Sequence, residues 1–182
     1  MNQTRENPIL QASNEIDSLR LGVDKDEVRL TDSDDVRATA VALASQARRT
    51  LLLHSFDLEA RIYDRQPFVE AVSALVRRHP GACFDVLIQN VERVVRDGHR
   101  LLELARRLGS SIQIRHCAQQ YRGYSGTFLL VDNTGYLYRP LSSRYEGLAS
   151  FNNAAEVARL GKYFRQVWEH SDTNMELRRL YI

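Results

Sequence analysis

Residues 121–152, YRGYSGTFLLVDNTGYLYRPLSSRYEGLASFN, decide the fold. Phe128-Leu129-Leu130-Val131 is a short apolar run that stops at Asp132-Asn133-Thr134-Gly135, and Tyr136-Leu137-Tyr138 follows at once. Apolar and aromatic residues on both sides of an Asp/Asn/Gly cluster predict two antiparallel strands joined by a tight turn. Glycine supplies the positive φ that such turns require, and asparagine tolerates it. Gly147 to Phe151 adds a further strand.

Upstream of the hairpin the chain alternates between helix and strand patterns. Ser33, followed by Asp34 and Asp35, reads as a helix N-cap with acids in the first turn. Val36, Ala40, Leu43 and Ala47 then recur at helical spacing to about Arg49. Thr50 to His54 is an apolar run fit for a strand buried on both faces. SFDLEARIYDRQ follows as an irregular link, and Pro67 opens a second helix that His79-Pro80-Gly81 stops. Cys83 to Gln89 is the next strand, and Val91 to Leu108 a third helix with Gly109 as its C-cap. Ser111 to His116 alternates as a strand. After the hairpin, Asn153 with Glu156 starts a helix whose stripe is Val157, Leu160, Phe164, Val167 and Trp168. Glu27 to Leu30 reads as a short edge strand, and residues 1–25 as a flexible N-terminal arm.

Alternating helices and strands argue for a parallel sheet covered on both faces. The expected fold is a three-layer α/β/α sandwich with a mixed, mainly parallel sheet and the antiparallel hairpin at its edge. It forms a single domain over residues 26–182.

A chain of 182 residues with 43% hydrophobic and 26% charged residues has the make-up of an ordinary globular domain. No run approaches the ~20 apolar residues of a membrane span, and MNQTRENP lacks the apolar core of a signal peptide. A cytoplasmic protein with no membrane partner is expected. Cys83 and Cys117 form no disulfide framework and have no second ligand at metal spacing, so no metal site is expected. RRLGSS at residues 106–111 has the spacing of a coenzyme A loop but ends a helix instead of opening one, and no cofactor is expected. The net charge of +2 is too small to indicate a polyanion partner by itself.

The order of elements from Val36 to Ser171, with the hairpin ending in VDNTG and the closing helix LGKYFRQVWEHS, resembles one half of a phospholipase D-like domain. Enzymes of that family carry His-x-Lys, four residues, then Asp, followed by Gly-Ser-x-Asn. Their His attacks phosphorus, Lys and Asn hold the phosphoryl oxygens, and a second copy of the motif completes the site. Here Asp132 fits the Asp, the Lys position is Thr127 and the His position is Ser125. Arg139-Pro140-Leu141-Ser142 stands where Gly-Ser-x-Asn belongs, and Ser150-Phe151-Asn152 echoes Ser-x-Asn too late in the chain. A serine needs a base, and threonine cannot replace the lost positive charge. The resemblance therefore implies a catalytically silent relative. It also implies that a single half pairs with a second copy as a homodimer.

If the fold is right, Ser125, Thr127, Tyr124 and Arg139 gather near one sheet end, and hydroxyls with a guanidinium bind phosphate or carboxylate. These residues, with Asp132 and His54, form the candidate site for a phosphate-containing ligand. The alternative is that the hydroxyls satisfy backbone groups and Arg139 is solvated. His54 ends a buried strand, where functional residues of open sheets gather. His116 is a second candidate for chemistry; His99 and His170 read as surface residues. Arg93, Arg96, Arg100 and Arg107 share one face of the third helix and could track a nucleic-acid backbone, although Glu92, Asp97 and Glu103 dilute the stripe. The tyrosines around the hairpin suit base stacking or cross-strand packing equally. Three functions follow: a silent domain for binding, regulation or assembly; a phosphodiesterase using Ser125 or His116; and a nucleic-acid-binding module.

Overall fold

The computed structural model describes residues 9–11 and 16–172. Its strands are β1 (Ile9–Gln11), β2 (Glu27–Leu30), β3 (Thr50–Ser55), β4 (Cys83–Ile88), β5 (Ile112–His116), β6 (Thr127–Val131), β7 (Gly135–Arg139) and β8 (Gly147–Ser150). Its helices are α1 (Ser33–Gln46), α2 (Ala60–Tyr63), α3 (Gln66–Arg78), α4 (Glu92–Asp97), α5 (Arg100–Arg107) and α6 (Ala154–Glu169).

The hairpin forms in the expected register, with Thr127 opposite Arg139 and Val131 opposite Gly135. Its positive φ values fall on Asp132 (50°) and Asn133 (58°), as a turn with both central residues left-handed requires. Gly135, expected to supply one of them, instead opens β7. A Cβ there would lie 2.6 Å from Leu21 Cδ1 and 2.9 Å from Leu43 Cδ2, so glycine is needed for close packing.

One sheet contains all the strands, in the order β1-β2-β8-β7-β6-β3-β4-β5. The α/β sandwich with a mixed sheet is the expected one, but antiparallel pairings outnumber parallel ones, so the sheet is not mainly parallel, and the hairpin lies inside it and not at its edge. β6 pairs antiparallel with β3, while β3, β4 and β5 run parallel. β2 is likewise internal, flanked by β1 and β8. Of the stretch expected as a loose arm, Ile9–Gln11 adds a parallel strand, and Ile16 and Leu19 are buried in the core.

Two apolar layers enclose the sheet. On one face Leu51, Leu53, Leu129, Val131 and Leu137 pack with Val36 and Leu43 of α1, Phe68 and Val72 of α3 and Leu101 of α5. On the other, Phe128, Leu130 and Tyr136 pack under Val157, Leu160, Phe164 and Val167 of α6. Successive strand residues alternate between the faces.

Three local expectations are corrected. The N-cap of α1 is Asp32, whose carboxylate accepts from the Asp34 and Asp35 amides; Ser33 is the first helical residue. The irregular link contains the short helix α2. The helix expected over residues 91–108 is two helices, because Gly98 adopts φ 75° and His99 then caps α5 by accepting from the Leu101 amide. His99 is buried, with Nε2 3.1 Å from the Leu58 carbonyl, and is no surface residue. Gly109 lies beyond the C-cap, which is Leu108. His170 is exposed.

Candidate functional site

The residues singled out around β6 do share one end of the sheet. Thr127 faces Arg139 across the hairpin, and its hydroxyl donates to the His54 carbonyl at 2.7 Å. Ser125 donates to the Pro140 carbonyl at 3.2 Å, and its own carbonyl accepts from the Ser142 amide. Both hydroxyls therefore satisfy backbone groups. Asp132 does not join them: five residues along a strand put it roughly 17 Å from Thr127. At the far end its carboxylate accepts from the amides of Arg48, Arg49 and Thr50, all within 2.8 Å.

The sheet also divides the remainder. His54 pairs with Phe128, so its ring lies on the α6 face, whereas Thr127 and Arg139 point to the opposite face. On the α6 face the His54 ring stacks on Phe128 at 5.2 Å and meets Tyr124 edge-on at 5.2 Å. Tyr124 in turn stacks on Tyr163 at 4.4 Å. Burial pushes the His54 pKa down to about 4, which the Gly126 backbone offsets only in part. Burial also raises the neighbouring Cys117 thiol to about 12. This side is an aromatic packing cluster around a neutral imidazole, in which Tyr124, ahead of β6, packs on Tyr163 of α6 and not across a strand pair.

On the other face stands an arrangement that the spacing of residues did not disclose. Arg139 is not solvated. Its side chain is wholly buried, and its guanidinium forms a two-pronged pair with Glu59, Nη1–Oε2 at 2.8 Å and Nη2–Oε1 at 2.9 Å. Nη2 also donates to the Ser142 carbonyl at 2.9 Å, and the Tyr145 ring lies 5.3 Å from the guanidinium carbon. Tyr63 is fully buried, close enough to feel the charges of both. Burial, then the Glu59 charge, holds its hydroxyl well above the usual range, with Arg139 and Thr127 opposing. Burial likewise raises Glu59 above the ordinary carboxylate value, although Arg139 pulls it down. Glu59 and Tyr63 come from the link and α2; neither carried a sequence signal, since a lone Glu and a lone Tyr in an irregular stretch have no periodicity to mark them.

The other candidates fall elsewhere. The echo Ser150-Phe151-Asn152 lies beside Tyr136, toward the turn, where Asn152 Nδ2 donates to the Gly22 carbonyl at 3.0 Å. His116 Nε2 lies 3.1 Å from the Gln89 carbonyl. The arginine stripe is split by the break at Gly98. Arg93 pairs with Asp57 and Arg96 with Asp97, both at 2.8 Å, and the Arg100 amide donates to Asp64. Among the described residues no three His, Cys, Asp or Glu side chains are placed to hold a metal ion, and no helix is long and apolar enough to cross a membrane.

A family model described as "Domain of unknown function (DUF7931)" matches residues 32–180. No curated protein sequence matches the chain. Among solved structures it is similar to TrmBL2, an archaeal chromatin protein whose structure is said to show a novel mode of DNA binding. The TM-score is 0.59 at 13% identity, covering 83% of this chain and 54% of that one. It is also similar to Nuc, a phospholipase D family member from Salmonella typhimurium, with TM-score 0.53 and 13% identity over 76% and 90% of the two chains. NucT from Helicobacter pylori gives TM-score 0.52 and 10% identity over 78% and 92%. This chain thus spans about half the length of TrmBL2, and the likenesses establish a phospholipase D-like fold.

Proposed function

This chain belongs to the DUF7931 family, a domain of unknown function, on a phospholipase D-like fold, and from that premise we propose that it is a non-catalytic member with a binding, regulatory or assembly role. One observation carries the proposal. Where a phosphodiesterase needs an open cationic pocket beside its nucleophile, Arg139 is buried and neutralised by the protein's own Glu59. Ser125 and Thr127 stand at the catalytic positions with their hydroxyls given to carbonyls, and Ser125 donates to Pro140 and not to a base. Loss of a nucleophile and of its phosphate clamp together removes several orders of magnitude of rate.

Hydrolysis of bis-p-nitrophenyl phosphate tests this reading directly. No turnover above buffer is expected across pH 5–9, with or without divalent cations. Turnover abolished by Ser125→Ala or His116→Ala would instead establish a phosphodiesterase with a nucleophile foreign to the fold. The likeness to TrmBL2 is one of fold, and the arginines expected to suit a nucleic-acid backbone are divided between two helices and partly paired with acids. Self-association belongs to the proposal: Phe56 after β3 and Leu141 after β7 are exposed at the same end of the sheet, by 40% and 43%. They mark the end of the sheet where a second copy would sit.

A further inference from the structure

Arg139 and Glu59 form a pair whose two members are unequally placed. The Arg139 side chain is 0% exposed, whereas Glu59 is 14% exposed and reaches solvent. The backbone that presents Glu59 is held firmly. The Leu58 amide donates to Ser55 Oγ at 3.1 Å, the Leu58 carbonyl faces His99 Nε2, and the Glu59 amide donates to Asp57 Oδ1. Leu58 lies at φ 57°, a backbone conformation that non-glycine residues adopt only when their surroundings impose it. The Glu59 side chain can therefore turn toward solvent without moving that backbone.

The pocket also holds more polar atoms than a carboxylate satisfies. Arg139 Nε and the Tyr63 hydroxyl are buried without a well-aligned partner. Buried polar atoms are nearly always paired, so these two neighbours, of which the Tyr63 hydroxyl has only Thr127 within reach, call for an explanation. A carboxylate has two oxygens in one plane, and both are already taken by Nη1 and Nη2. A tetrahedral oxyanion brings further acceptor oxygens to the same guanidinium.

Resting on the non-catalytic reading above, we propose that Glu59 is a built-in occupant of an anion site formed by Arg139 and Tyr63, and that a phosphoryl group takes its place when its side chain withdraws toward solvent. The site binds phosphate-class ligands without cleaving them, and Glu59 sets how tightly. Free phosphate and a phosphodiester share this chemistry.

The test is titration calorimetry and thermal melting of the wild-type chain, Glu59→Ala, Glu59→Gln and Glu59→Ala/Tyr63→Phe with inorganic phosphate, dimethyl phosphate and acetate. The Gln variant keeps the side-chain shape, and so gives the answer if the Ala variant fails to fold. Removing the internal carboxylate should tighten phosphate binding at least about tenfold over wild type and raise the melting temperature with phosphate concentration. Tyr63→Phe should weaken phosphate and leave acetate unchanged, which a hole that merely needs filling would not do. Binding of dimethyl phosphate as well as phosphate assigns the site to diesters; phosphate alone assigns it to terminal phosphoryl groups. The proposal is overturned if both Glu59 variants respond to every anion as wild type does, or if Tyr63→Phe is without effect on phosphate. Neither result touches the absence of catalysis, and turnover of bis-p-nitrophenyl phosphate would sink that reading while leaving the anion site intact.

Discussion

At position 54 an imidazole lies between Phe128, Tyr124 and Tyr163, where an ion is poorly solvated. The unfolded chain takes up a proton near pH 6.5, the folded one only near 4. Between those values the unfolded state binds more protons, so stability is full above pH 6.5 and is lost as pH falls toward 4, by up to about 3 kcal/mol. His54→Phe keeps a ring in the cluster and removes the titration. Urea unfolding of wild type from pH 7 to pH 4 should lose about that much more stability than the variant. Identical losses would show that His54 does not titrate in this way. His99, also pushed down by burial, contributes equally to both proteins and cancels. The residue scale was only half legible in the sequence. In the proposed reading, Ser125 and Thr127 take the catalytic positions by their spacing in the chain. That Thr127 and His54 serve different faces follows from the pairing register, which spacing alone does not supply.

Among the elements, the β6–β7 hairpin was legible because its signal is local: two apolar runs and a turn whose residues tolerate positive φ. The same turn gives Asp132 a structural task. Its carboxylate ties the hairpin to the start of β3 through three backbone amides, a structural task independent of chemistry. Asp132→Ala should remove these bonds and also place an alanine at φ 50°, lowering stability by about 2–4 kcal/mol in denaturant unfolding. Asp132→Asn, which keeps an acceptor and tolerates the left-handed region, should lose less than half of that. Equal losses would contradict the capping role. The interrupted helix was not legible. Val94, Leu101, Leu102 and Ala105 fit a helical period closely enough to hide the break, which depends on His99 reaching the Leu58 carbonyl across the fold.

For the whole molecule, exposed Phe56 and Leu141 lie at one end of the sheet, where the proposed second copy would sit. Sedimentation equilibrium should find a dimer that Leu141→Asp dissociates without changing the circular dichroism spectrum. A wild-type chain that stays monomeric at high micromolar concentration removes self-association from the proposed function. By itself the sequence determined the layers, the hairpin and the capped closing helix, because each is set by periodicity or turn chemistry. The strand order, which buries the hairpin between β3 and β8, was decided only by the tertiary structure. So was the pairing of Arg139 with Glu59, whose side chains meet across 80 positions of chain. Contacts between residues so far apart arise from packing the core, and no local pattern encodes them.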